Sequence, residues 1–204
     1  MDPIEKLAQM FKEFPGIGER QAKRFVYFLM AKNANYSEAL SKTILELKRE
    51  VARCTECFRF FLFTNQTQNN ICSICTNPNT DSSMLMIVEK DSDLESVLKS
   101  KVYAGKYFVL GGLVPIVEKT TLSFVRIPEL KEKIKKEKNL KEIILAFSMS
   151  PIGDHTDFYL RNEIKDMCDK NNINISSLGR GLSTGTELEY SDNETLKNAL
   201  KNRK

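Results

Sequence analysis

The stretch MLMIVEKDSDLESVLKSKVYAGKYFVLGG, Met84 to Gly112, decides the fold of this chain. It opens on a short apolar run, residues 84–89, that ends in the acid Glu89. Residues 91–100 then read as a capped helix, with Asp91 and Asp93 as cap and first-turn acids. KYFVLGG, residues 106–112, is a second apolar run that stops at glycines. Apolar strands that are continuous rather than alternating, joined through a helix, predict a mainly parallel sheet covered on both faces. The pattern continues downstream. Residues 129–139 are helical and highly charged and read as a solvated face. EIILAFS (142–148) is a third strand, 155–170 a helix, INISSL (173–178) a fourth strand, and ETLKNALKN a final helix. The expected fold class is α/β.

Upstream the period is helical. Residues 4–13 put Ile4, Leu7, Met10 and Phe11 on one face. Residues 19–32 turn Ala22, Phe25, Val26 and Leu29 inward. Residues 36–52 read as a third helix with Ser37 as its N-cap. A cysteine segment runs from Cys54 to Cys75, and the polar TNPNTDSS (76–83) reads as a linker. No internal repeat is visible.

The totals bound the function. The 204 residues carry 31 Lys+Arg against 27 Asp+Glu, a net charge of +4, which permits a nucleic-acid partner without demanding one. No apolar run approaches the ~20 residues of a membrane helix. The N-terminus, MDPIEKLAQMF, lacks the apolar core of a signal peptide, so a cytoplasmic location is expected. A single His disfavours histidine-based triads and metal sites. Five cysteines in a reducing compartment are read for metal, not disulfides.

FPGIGERQAKRF (14–25) breaks a helix with Pro15, Gly16 and Gly18 and restarts it with Arg20, Lys23 and Arg24. This is the form of a helix-hairpin-helix turn. Its glycines open backbone conformations closed to other residues, and main-chain N–H groups then face outward at a helix start. A DNA phosphate fits there without its base being read. Arg20 and Arg24, four apart, share one helix face and reach neighbouring phosphates. The plainer reading is a helix corner with solvated cations.

Cys54-Thr-Glu-Cys57 and Cys72-Ser-Ile-Cys75 form C-x2-C-x14-C-x2-C. Two such pairs make a four-thiolate tetrahedron with no open position, the chemistry of structural Zn²⁺. An iron–sulfur site or two chance pairs are the weaker readings. The apolar FRFFLF inside the loop is expected to pack against neighbouring helices, and Cys168, near Ile164 and Met167, to be plain core. Among the acids, Glu89 ends the first strand and Asp154 follows the third. Carboxylates at adjacent strand ends are suited to Mg²⁺, but Asp154 reads more simply as the cap of a helix starting near His155. Tyr159 and Tyr190 read as packing residues.

These parts in this order resemble the bacterial RecR family of recombination mediators over essentially the whole chain. The residues that carry the resemblance are FPGIGERQAKRF, the four cysteines, MIVEKDSDL, GKYFVLGGLVPI, KEIILAF and RGLSTGTELEYSD. The resemblance implies a helix-hairpin-helix region (1–53) for DNA binding and oligomerisation. It further implies a four-cysteine zinc finger (54–75), a toprim-like domain (82–178), and a glycine-rich segment with a C-terminal helix (179–204). It also implies a ring-like tetramer that works with RecO and RecF to load the recombinase RecA onto gapped DNA. Gly16, Gly18, Arg20 and Arg24 would face DNA, and Glu89 and Asp154 would lie on the partner surface. The chain departs from the family where an acid-Gly-acid pattern reads Ile152-Gly153-Asp154, and where Pro-Val-Gly-Gly reads Ser183-Thr184-Gly185-Thr186. The segment after Val114 is short and lacks the family's glycines. RGLSTGTE lacks the Lys-Ser/Thr ending of a P-loop. The alternative functions are a Mg²⁺-dependent toprim nuclease or primase, which would need the missing acid, and a zinc-ribbon interaction module without DNA.

Overall fold

Three helices make the first of two units in the structure, a computed structural model that describes residues 2–63, 69–116, 124–179, 181–182, 185 and 187–201. The units are Met1–Val51 and Ala52–Lys204. Helix α1 (Pro3–Lys12) begins where the Asp2 carboxylate accepts the N–H groups of Ile4 and Glu5, with Pro3 in the first turn. Helix α2 (Glu19–Met30) packs on it. Phe11 meets Phe25 edge-on at 5.6 Å, and Ala8, Ala22 and Val26 are buried. The expected inward face of α2 is found. On α1 the small Ala8 lies buried and Met10 is exposed, because the face turned to α2 is centred one position away from the expected stripe. Helix α3 (Ala34–Glu50) is capped by Asn33, whose side chain accepts the Tyr36 N–H at 3.0 Å. Ser37 lies inside the helix, and its carbonyl accepts from Ser41.

A two-stranded sheet follows, β1 (Val51–Arg53), which begins at the last residue of the first unit, and β2 (Phe60–Leu62), and then one helical turn, α4 (Ser73–Thr76). The main sheet follows: β3 (Asp81–Val88), β4 (Gly105–Val109), β5 (Glu142–Ala146) and β6 (Asn174–Ser177). These four strands are parallel and lie in the order β4-β3-β5-β6. Helices α5 (Asp91–Ser100), α6 (Ile127–Lys136) and α7 (Pro151–Asn171) make the crossovers. The step from β3 to β4 runs opposite to the later two, so right-handed crossovers put α5 on one face and α6 and α7 on the other. The burial agrees. Leu85, Ile87, Phe108, Ile143 and Leu145 pack with Leu130, Ile134, Leu160 and Ile164. Met86, Val88, Tyr107 and Val109 pack with Leu94. A wholly buried Leu or Ile contributes about 2 kcal/mol. A 3-10 turn at Leu188–Tyr190 and helix α8 (Asn193–Lys201) close the chain.

Several expectations change. Residues 76–83 are not a linker, since Thr76 ends α4 and β3 begins at Asp81. The charged helix is not a solvated face: Ile127, Leu130, Lys133 and Ile134 of α6 are buried. Helix α7 starts at Pro151, before His155. Of FRFFLF, only Phe58 and Phe61 pack inward, and Tyr190 is exposed. Tyr159 packs against the core, and Cys168 is buried in it. Arg180, Ser183, Thr184 and Thr186 of the glycine-rich segment lie outside the described residues. Among the described residues, no helix is long and apolar enough to cross a membrane.

Candidate functional site

Cys54, Cys57, Cys72 and Cys75 converge so that all four Sγ atoms lie within 4.8 Å of one another. Thiolates about 2.3 Å from a tetrahedral metal stand about 3.8 Å apart. The Cys54–Cys75 and Cys57–Cys72 separations are 3.9 and 3.6 Å, so the donors fit one such ion and are too far apart for disulfides. Local backbone builds the cage. Cys54 N–H donates to Arg59 O and Phe58 N–H to Cys54 O, closing the first knuckle, while Cys72 caps α4 and donates its own N–H to Cys54 Sγ at 3.3 Å. Hydrogen bonds from Cys57, Cys72 and Cys75 hold the Cys54 thiol far below its ordinary range. The same bonding to Cys54 pushes Cys57 and Cys75 up. A cation relieves this competition by taking the place of the protons.

The centre is tied to the sheet. Val109 N–H, on the outer side of β4, donates to Cys57 O at 2.8 Å. Phe58 adopts the left-handed φ of 62°, unfavourable for a bulky residue. Its ring is seated on Phe108 at 5.3 Å and beneath the Arg126 guanidinium. Glu56, between the first two cysteines, binds the buried Lys133 of α6 at 2.8 Å. Lys133 also binds Glu137 at 3.0 Å, and Glu137 binds Lys106 of β4 at 2.6 Å. Sequence reasoning missed this quartet. The available signal was the i,i+4 spacing of Lys133 and Glu137, which more often marks an exposed pair.

In the first unit, Gly16 takes φ +76° and so needs glycine, whereas Gly18 does not, with φ −84° as the N-cap of α2. A Cβ at Gly18 would meet nothing within 4 Å. Gly18 has no side chain to cap the helix, so the first N–H groups of α2 are left open at its positive end. Glu19 sits in that first turn and is held by Lys23 at 3.0 Å. Arg24 reaches Gln21 at 3.5 Å. Arg20 is exposed. The turn therefore offers an anion main-chain donors flanked by two arginines on one helix face.

The two acids sit at the carboxyl edge of the sheet, where the strand order reverses between β3 and β5. Glu89 directly follows β3, and its carbonyl accepts from Gly111. Asp154 is not the cap of α7. Ser150 is, accepting the Gly153 N–H at 3.2 Å, and Asp154 lies in the first turn. Asp154 lines a cleft of about 400 Å³ with Ser150, Asp192, Thr195 and Asn198. Gly153 is required by close approach, since a Cβ there would stand 2.1 Å from Ser148 O. Among the described residues, the four cysteines are the only group of three or more His, Cys, Asp or Glu side chains at ligating distance. Glu89 and Asp154 belong to no such group.

The profile of the family described as Toprim domain matches residues 83–179, and that described as RecR, C-terminal, matches residues 181–204. Similar proteins include the Recombination protein RecR of Legionella pneumophila subsp. pneumophila, 32% identical over 203 residues, 100% of this chain and 96% of that relative. The Recombination protein RecR of Bacteroides thetaiotaomicron is 35% identical over 98% of this chain and 92% of its own. That of Lactobacillus acidophilus is 33% identical over 98% and 96%.

Proposed function

Since this chain belongs to the RecR family of recombination proteins, we propose that it is a non-enzymatic accessory protein of recombinational DNA repair, acting in the cytoplasm. It binds DNA without sequence preference and, with RecO and RecF, helps load the recombinase RecA onto gapped DNA coated by single-strand binding protein. Residues 1–53 bind DNA and join copies of the chain into a tetrameric ring. Residues 54–75 hold one structural Zn²⁺ through Cys54, Cys57, Cys72 and Cys75. The toprim domain, with Glu89 and Asp154 at its carboxyl edge, meets RecO, and residues 179–204 carry the glycine-rich segment and the C-terminal helix.

The observation that carries the DNA reading is the uncapped start of α2 beside Gly16, Gly18, Arg20 and Arg24. Main-chain donors and a helix dipole favour phosphate and carry no base information. All-sulfur ligation supports zinc over harder cations. Toprim phosphoryl chemistry uses carboxylates gathered around Mg²⁺, and Ile152 standing in the acid position supports a role without catalysis.

Recombinase filament assembly on gapped, protein-coated DNA tests the proposal. Acceleration that needs both this chain and its cognate RecO is the expected result. No acceleration with both proteins folded and metal-loaded would overturn the mediator role. Arg24→Ala is expected to weaken binding equally for all sequences and to flatten the slope of log K against log[salt] by up to about 0.9 for the lost phosphate contact. An unchanged slope would remove Arg24 from the interface.

A further inference from the structure

The outer face of the cysteine hairpin belongs to neither site described above. Within residues 58–63, Phe58 and Phe61 turn toward the core and the cysteines. Phe60, Leu62 and Phe63 remain 49%, 67% and 46% exposed. A contiguous exposed apolar patch marks an interaction site, whereas single exposed apolar side chains are ordinary. Phe60 is held in place. Its N–H donates to the Asp91 carboxylate at 2.6 Å, and its carbonyl accepts from Arg59 Nε at 3.3 Å. The Arg53 guanidinium lies over its ring, 4.8 Å from the centroid. An exposed aromatic fixed at both backbone atoms loses little entropy when something packs on it.

We propose that Phe60 and Leu62, which share one face of β2 and are flanked by Arg53 and Arg59, form a stacking platform for the unpaired bases of single-stranded DNA. The inference rests on reading the chain as a DNA-binding protein and adds a second contact, distinct from the glycine turn. Charge selects the occupant. Two arginines border the apolar side chains, and the carboxylate bonded here, Asp91, is engaged by the Phe60 N–H. Aromatic faces interleaved with cations bind single strands by base stacking and phosphate contact. A duplex keeps its base faces in its own stack, so it cannot use the platform. Alternate residues of a strand stand about 6.6 Å apart, close to two base-stacking steps of about 3.4 Å. The strand spacing of Phe60 and Leu62 thus matches the thickness of one base plane between two contacts.

The chain has no tryptophan, so Phe60→Trp installs a single indole on the platform. In the full-length, metal-loaded protein, oligo(dT) is expected to quench that fluorescence, and a blunt duplex of equal length is not. Phe60→Ala is expected to weaken oligo(dT) binding by about 5- to 150-fold, equivalent to about 1–3 kcal/mol, and Leu62→Ala, which removes an apolar contact and no ring, by a smaller factor. Duplex binding and the melting temperature stay unchanged, and Phe60→Tyr restores affinity. Arg24→Ala, in contrast, weakens both DNA forms. Labelled oligo(dT) that binds without quenching, and equally well to the alanine variants, would overturn the platform and leave the DNA reading intact. If the alanine variants lost association with RecO while DNA affinity held, the surface would be a protein interface and the platform would likewise fall. An unsubstituted chain that binds no DNA would remove both readings.

Discussion

Cys54→Ser is expected to abolish metal binding and to melt the sheet-bearing unit, not merely the knuckle. A structural four-thiolate zinc site supplies about 10–16 kcal/mol of apparent binding free energy. That is comparable to the ~5–15 kcal/mol that holds a whole domain folded. The knuckle has little core of its own: among its described residues, those buried are Cys54, Cys57 and Cys72. Its fate reaches the sheet through contacts that end on β4, α5 and α6. These are the Val109–Cys57 hydrogen bond, the Phe58–Phe108 ring contact, the Phe60–Asp91 bond and the Glu56–Lys133 ion pair. Metal analysis should find no ion in the variant. Hydrogen exchange should show the Val109 amide losing protection together with the neighbouring strand. One metal per chain with an unchanged melting curve would sink the four-cysteine centre.

Lys133→Met is expected to cost about 3–5 kcal/mol at neutral pH, although methionine fits the space well. The Lys133 side chain is only 5% exposed and neutralises Glu56 and Glu137 together. Its removal leaves the Glu137 carboxylate, 13% exposed, with only Lys106 to balance it, and takes the cation from the partly buried Glu56. Adding Glu56→Gln should recover part of the loss, since a neutral amide is cheaper to bury than an unpaired carboxylate. The pH dependence has a defined sign. Burial would raise the Glu137 carboxyl, but hydrogen bonds from Lys106 and Lys133 outweigh it and hold the group below its ordinary value. Its stabilisation is present above the unfolded-state value and is lost as pH falls through the folded one. Burial would lower the Lys133 ammonium, but Glu56 and Glu137 outweigh it and raise the group. That part is complete below the ordinary lysine value and is lost as pH rises through the folded one. Denaturant melts across pH should show the intact chain losing this contribution at both extremes, while Lys133→Met lacks the loss at high pH and keeps at low pH only the part that Lys106 supplies to Glu137. Equal stability of the two proteins at pH 7 would mean that the Lys133 pairs contribute nothing net.

Local chemistry made much of this molecule legible in its residues. Continuous apolar runs such as EIILAFS are strands because a parallel sheet buries both faces, and that signal survives in any context. Two C-x2-C pairs announce a metal cage because each knuckle is a few residues long and closes on itself. FPGIG announces a turn because Gly16 takes a backbone angle that side chains resist. These features depend on neighbours within about one turn of chain.

What stayed hidden depends on residues far apart in sequence. Periodicity reads α6 as a charged, solvated helix, and nothing nearby says otherwise. Lys133 is buried because Glu56, 77 positions earlier, is brought to it by the knuckle. FRFFLF is uniformly apolar, yet Phe58 and Phe61 go inward while Phe60, Leu62 and Phe63 face water. The knuckle geometry and the position of Phe108 set that division. The cap of α7 is an exception: Ser150, followed at once by Pro151, is a local signal that the reading of Asp154 passes over. Local propensity writes the elements, while burial and charge pairing are set by which elements the fold brings together.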